Sequence, residues 1–201
     1  TANVGLFMGD DYAYAATTGG TYGTFRIGYL GTKGFGANPK SIYFFTPAIK
    51  SITIEDGVLL PFDPIWFQGS TSSAVVEHME MKFSVVSTVQ TFIMRAFQSA
   101  AFKSIKLNGC QIDLSTTNST VFRVYGTAVV DQFIGDKCRV VMGGTGSTGL
   151  LVYETGTMRD AKWKDCIWEY ASNTSTAFPI YASAGTLTKS TIEGGSYTNP
   201  A

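Results

Sequence analysis

Phe102-Lys103-Ser104-Ile105-Lys106-Leu107-Asn108-Gly109-Cys110-Gln111-Ile112-Asp113-Leu114 decides the fold, because its pattern returns at a fixed interval. The cysteine recurs at Cys138 and again at Cys166, each time 28 residues on. In that frame Val130, Phe133, Gly135, Cys138, Val140 and Met142 repeat the apolar or small positions, and so do Met158, Ala161, Trp163, Cys166, Trp168 and Tyr170. Upstream, Val76, Met79, Met81, Ser84 and Val86 take the same places, preceded by Ile49, Ile52, Ile54, Gly57 and Leu59. Downstream come Leu187, Ser190, Ile192, Gly195 and Tyr197. The segments start at residues 49, 76, 102, 130, 158 and 187, in steps of 27, 26, 28, 28 and 29.

Each repeat has a second block: Met94-Arg95-Ala96-Phe97, Phe122-Arg123-Val124-Tyr125, Leu150-Leu151-Val152-Tyr153 and Phe178-Pro179-Ile180-Tyr181. Apolar residues at every second position make strands with one buried face. Asn108-Gly109 and Gly143-Gly144 supply turns between them. One such unit cannot bury its own apolar stripe. Units stacked at about 4.8 Å place like residue over like and share main-chain hydrogen bonds. The expected fold is all-β: a right-handed parallel β-helix, a solenoid of coils of about 28 residues, spanning residues 41–201. The hexapeptide coils of left-handed helices do not fit this period. Residues 1–40 lack the full repeat and are expected to cap or connect. Thr24-Phe25-Arg26-Ile27-Gly28-Tyr29 reads as a degraded first coil, with Ile42-Tyr43-Phe44-Phe45 as its later strand. A β-sandwich with chance spacing is the competing architecture.

Composition bounds the function. The 201 residues are 44% hydrophobic and only 15% charged, and 15 basic side chains balance 15 acidic ones. That balance gives no electrostatic capture of nucleic acid. No apolar run reaches the roughly 18 residues of a membrane-spanning helix, so no membrane insertion is expected. The first residues show no charged-then-apolar leader. The start at Thr1 and the polar stretch Tyr197-Thr198-Asn199-Pro200 read as a fragment or processed product. Neither metal-ligand spacing nor a nucleotide motif is present, and no cofactor is expected. Gly143-Gly144-Thr145-Gly146-Ser147-Thr148-Gly149 matches a glycine fingerprint only loosely and reads as a mobile loop.

Cys110, Cys138 and Cys166 fall at one inward column, as a core ladder of small hydrophobes. A disulfide needs side-chain vectors that parallel stacking does not favour. Free thiols fit assembly in a reducing cytoplasm.

Function in a solenoid sits on outward positions. Arg95 and Arg123 alternate with inward residues, as do Phe97, Tyr125, Tyr153 and Tyr181. The expected result is one outward aromatic per coil, flanked by arginines. Ring faces suit sugars, and arginine suits the carboxylates of an acidic polysaccharide. The same residues serve equally as a subunit interface or as packing under loops. Glycosidic cleavage needs two carboxyl groups. Asp131, Glu154 and Asp160 near one corner are the catalytic candidates, although acidic corner residues ordinarily form solvated turns. Asp113 and Glu169 share an outward column two coils apart, roughly 9.6 Å by strand spacing. His78, the single histidine, has no nucleophile elbow and is expected at the surface.

The aliphatic columns around Ile105-Lys106-Leu107-Asn108-Gly109 and Phe133-Ile134-Gly135-Asp136, with the Ser/Thr/Gly loops, resemble the coils of bacteriophage tailspikes and tail fibres. The resemblance covers residues 40–201 and includes no signature motif. It implies a homotrimer on the virion tail, assembled in the host cytoplasm, that binds host cell-surface polysaccharide. It also implies a polysaccharide depolymerase, a hydrolase or lyase, as the alternative activity. A bacterial adhesin or secreted, extracellular passenger domain is the third expectation, and the free cysteines weigh against it.

Overall fold

The computed structural model describes residues 4–9, 21–28, 30–31, 40–45, 48–59, 65–69, 75–85, 93–114, 117–143, 145–170 and 177–198. These residues form strands and turns, and none is helical, so no helix among them crosses a membrane. The strands come in threes. β1 (Val4–Gly9), β2 (Thr21–Ile27) and β3 (Leu30–Gly31) make the first coil. β4 (Lys40–Phe45), β5 (Ala48–Ile54) and β6 (Gly57–Leu59) make the second. β7 (Ile65–Gly69), β8 (Val75–Met81) and β9 (Ser84–Val85) make the third. β10 (Met94–Gln98), β11 (Ala101–Asn108) and β12 (Gln111–Leu114) follow, then β13 (Thr120–Val124), β14 (Val129–Asp136) and β15 (Arg139–Met142). β16 (Thr148–Tyr153), β17 (Thr157–Lys164) and β18 (Ile167–Tyr170) precede β19 (Phe178–Ser183), β20 (Thr186–Glu193) and β21 (Ser196–Thr198).

Corresponding strands of successive coils pair in parallel and build three seven-stranded sheets. Sheet A is β1-β4-β7-β10-β13-β16-β19, sheet B is β2-β5-β8-β11-β14-β17-β20, and sheet C is β3-β6-β9-β12-β15-β18-β21. The chain is a parallel β-solenoid. In sheet B the register Ile49↔Val76, Val76↔Phe102, Phe102↔Val130, Val130↔Met158 and Met158↔Leu187 follows the sequence repeat step for step. Phe25 stands opposite Ile52, so β2 continues the same column into residues 1–40. β1, β2 and β3 supply the terminal strand of each sheet.

Inward columns form the core. Ile52, Met79, Ile105, Phe133 and Ala161 lie one above another, all fully buried. Each large aliphatic or aromatic side chain removed from water contributes about 1.5–3 kcal/mol, which is why the repeat is strict at these positions. Size is balanced vertically: Leu107, Gly135 and Trp163 share a column, and the Trp163 indole occupies the space beside Gly135. Trp163 meets Phe133 edge-on at 5.1 Å and Trp168 at 4.9 Å. The buried Thr120 and Thr148 hydroxyls pair between coils in a 2.9 Å hydrogen bond.

From the fourth coil on, the corners repeat as well. Gln98, Gly126, Glu154 and Ala184, where sheet A gives way to sheet B, all have φ between 54° and 63°. Gly109, Lys137, Asp165 and Gly194 do the same between sheets B and C, with φ between 52° and 64°. Asn118 and Gly146 mark the approach to sheet A. In each of the last four coils a left-handed residue turns the chain at the same height, even where a side chain makes that conformation costly.

Two registers differ from the sequence expectation. The position above Cys110 belongs to Phe83, not Ser84, and Val85, not Val86, lies above Ile112. The turn after Met81 is one residue shorter than the turn after Leu107. The second difference concerns Tyr181, which pairs with Leu151 and not with Tyr153, while Ile180 takes the place opposite Leu150. Seven residues separate β18 from β19, whereas five separate β15 from β16, and the two extra shift the strand by one full side-chain period.

Candidate functional site

The three outer faces differ in chemistry. On sheet B one outward column alternates in sign. Lys50, Glu77, Lys103, Asp131 and Arg159 succeed one another down one column, in the order required by the flanking register pairs. Lys103 pairs with Glu77 at 3.6 Å, and Arg159 pairs with Asp131. Lys106 bridges Glu80 at 3.4 Å and Asp136 at 3.8 Å, and Lys162 meets Glu193 at 2.8 Å. Lys189 holds Asp160 at 3.7 Å, and Arg26 holds Glu55. Each exposed pair contributes at most about 1 kcal/mol. Together they leave this face with little net potential. His78 lies in the column between Ser51 and Ser104 and is exposed.

On sheet A, Arg95 and Arg123 are direct register partners. The rings of Phe97 and Tyr125 stack at 5.1 Å, and those of Tyr125 and Tyr153 at 5.7 Å. The Arg95 guanidinium lies 4.3 Å from the centre of the Phe97 ring and 4.6 Å from that of Tyr125. Arg123 lies 4.9 Å from Tyr125 and 4.7 Å from Tyr153. The aromatic faces are therefore spent largely on one another and on the guanidinium groups. All five residues are only partly exposed. Tyr181 stands outside the stack, in the arginine column, and packs on Phe178 at 5.6 Å.

The carboxylates expected for catalysis each have a partner of their own. Asp131 pairs with Arg159, and Asp160 pairs with Lys189. Glu154 sits at a left-handed corner and accepts the Tyr125 hydroxyl, which raises the phenol above its ordinary range.

Sheet C carries a groove of about 370 Å³ lined by Ser84, Gln111, Asp113, Arg139, Val141 and Glu169. Asp113 and Glu169 share one column with Val141 between them. Arg139 grips Glu169 with two hydrogen bonds, Nε to Oε1 at 2.8 Å and a terminal nitrogen to Oε2 at 2.6 Å. This bidentate pair raises the pKa of the guanidinium further. The groove crosses β9, β12, β15 and β18, and so runs along the stacking direction. Ser84, Gln111 and Arg139 follow one another in one column, and Asp113 and Glu169 flank Val141 in another. The sequence pointed to Asp113 and Glu169 but missed Ser84, Gln111 and Arg139. The only signal for Arg139 is a charge 30 residues before Glu169, a diagonal one coil apart.

The three cysteines are free and buried. Each thiol points at the carbonyl of the preceding coil: Cys110 at Met81 (3.5 Å), Cys138 at Leu107 (3.6 Å) and Cys166 at Gly135 (3.4 Å). The hydrogen bond with Cys110, together with burial, pushes Cys138 up to about 12. Cys138 and burial raise Cys166 in the same direction. All three thiols are enclosed in the core, as a structural ladder of small hydrophobes would be. Among the described residues no group of three or more His, Cys, Asp or Glu side chains is placed to hold a metal ion.

No protein-family model, curated protein or solved structure matches the chain.

Proposed function

We propose that this chain is a section of a bacteriophage tail fibre or tailspike whose rod binds polysaccharide on the host cell surface, along the outer face of sheet C. The observation that carries the proposal is the groove crossing four successive coils, with Ser84, Gln111, Asp113, Arg139 and Glu169 along it. A sugar polymer offers hydroxyl pairs to carboxylates and ring oxygens to donors at each residue. A polar trench aligned with the rod meets such a chain at several successive units. In this account the protein works as a homotrimer in the virion tail. Reduced core thiols are compatible with its assembly in a host cytoplasm and count against a secreted passenger domain.

The test is calorimetric titration with purified capsular or lipopolysaccharide glycans from candidate hosts. Asp113→Asn and Arg139→Gln are expected to weaken binding by about tenfold or more, roughly the loss of one charge-assisted hydrogen bond. If no glycan binds, or both variants bind like the parent, the proposal fails.

A second reading is cleavage of the bound polymer. It is favoured by Asp113 and Glu169 standing two strands apart, about 9.6 Å, near the upper end of the separation for inverting hydrolysis. Against it, both Glu169 oxygens are engaged by Arg139. Release of reducing ends from a bound glycan would establish cleavage, and binding without release would exclude it for that glycan.

A further inference from the structure

Arg139 on β15 and Glu169 on β18 form a closed pair in the sheet C groove. A guanidinium fork takes a carboxylate through two parallel N–H donors, and this is the contact that an acidic sugar would seek. Glu169 already holds that place. Nε of Arg139 donates to Oε1 at 2.8 Å, and a terminal nitrogen donates to Oε2 at 2.6 Å. The two residues stand in different columns, since Arg139 is in register with Ile167 and Glu169 with Val141. Their contact is therefore a diagonal one, made by the side chains and not imposed by the stacking. Among the described residues Arg139 is the one cation that lines the groove, and its charge is answered from within the chain. The guanidinium keeps further N–H groups from which a neutral hydroxyl oxygen can accept.

Asp113 stands differently. It lines the same groove two strands from Glu169 and, among the described residues, forms no hydrogen bond or ion pair. It adds to the negative field at Arg139 without engaging it. Two carboxylates and one guanidinium leave the lining with a surplus of negative charge, and the charged group left open to a ligand is an acceptor. Such a group accepts from sugar hydroxyls and repels a second carboxylate. Ser84 and Gln111, the other polar groups of the lining, are uncharged.

We infer that the sheet C groove selects a polysaccharide of neutral sugars over one bearing carboxylates, and that Glu169 sets the choice by standing in for a ligand carboxylate on Arg139. The inference rests on the glycan-binding reading of that groove and names the class of sugar that the reading leaves open. Hexoses and N-acetylated hexosamines, whose hydroxyls donate to Asp113, are accepted. Uronates meet an occupied fork and an unpaired anion, which is discrimination by repulsion.

The test is calorimetry at low salt on the whole chain. The probes are the host glycans of the titration above, hyaluronate and polygalacturonate, with each acidic polymer used as isolated and after carboxyl reduction. Reduction turns every uronate carboxylate into a primary alcohol and keeps the backbone. The parent is expected to bind the reduced forms about tenfold or more tightly than the acids. Glu169→Gln frees the fork and is expected to raise the affinity for the acids about tenfold. That gain is expected to vanish in the double variant Glu169→Gln/Arg139→Gln. Lys103→Gln, on sheet B, is expected to bind as the parent does. Should Glu169→Gln fail to fold, the comparison of acid with reduced form in the parent decides. An acid bound by the parent as tightly as its reduced form overturns the inference and leaves the glycan-binding reading standing. A folded Glu169→Gln that gains nothing for the acids does the same. Absence of binding by every polymer in either form overturns the glycan-binding reading itself, and the inference with it.

Discussion

The indole of Trp163 fills the space that a side chain at Gly135, its register partner in the preceding coil, would occupy. The pair shows how the solenoid accommodates unequal residues in one inward column. A glycine in one coil admits a tryptophan in the next, and the mean packing of the column is kept.

Gly135→Ala drives a methyl group into that ring. Overpacking of this kind costs about 1–3 kcal/mol. Chemical denaturation is expected to show a loss in that range, and the double variant with Trp163→Leu is expected to recover much of it. Equal stability of Gly135→Ala and parent would contradict the packing.

That prediction also marks how much was legible in the sequence. The period was visible because the central inward columns of sheet B hold apolar side chains, so Ile105, Phe133 and Ala161 recur in step. The height of each coil within its sheet was less visible. Loops lie outside the columns and vary in length freely, so a count of 28 carried across residues 171–177 misplaced Tyr181 by one side-chain period. The turn at Lys82 misplaced Ser84 by one residue for the same reason. The left-handed corners at Gln98, Lys137 and Glu154 carry no propensity signal. Their conformation is imposed by the coils above and below. Of the sheet C groove, the vertical pair Asp113 and Glu169 could be read from the repeat. The diagonal contact of Arg139 could not be read without knowing which way the side chains lean.

Lys137 has φ of 53° and is exposed at a corner where Gly109 and Gly194 serve in other coils. Lys137→Gly removes the clash between Cβ and backbone at the expense of some chain entropy. A net gain of about 0.5–1 kcal/mol is expected in denaturant midpoints. A loss would mean that the corner is not held in this conformation.

The cysteine ladder makes stability depend on alkaline pH. An unfolded thiol titrates near about 8.5. Folding holds the Cys138 proton until about pH 12. The folded state therefore binds its proton more tightly, and the resulting stabilisation is complete below about pH 8.5. It is lost as pH rises from there towards 12. The melting temperature is expected to fall across that window, and to fall less in Cys138→Ala. A thiol reagent is expected to label no cysteine in the native protein and all three after denaturation.

Sheet B's alternating column predicts a specific electrostatic penalty. Asp131 stands between Lys103 and Arg159. Asp131→Lys lines up three cations, with an expected loss of about 1 kcal/mol at low salt that shrinks in 1 M salt as screening shortens to about 3 Å. A salt-independent loss would point to backbone change instead.

The central claim is that successive coils of about 28 residues lie directly over one another. Gln111 and Ile167 test it, because both are exposed and they occupy the same column of sheet C with Arg139 between them. Nitroxide labels at these two positions, far apart in sequence, are expected to sit about 10 Å apart, two strand spacings, and to show strong dipolar broadening in the electron paramagnetic resonance spectrum. Spectra of the doubly labelled protein that match the sum of the single labels would contradict the stacked solenoid.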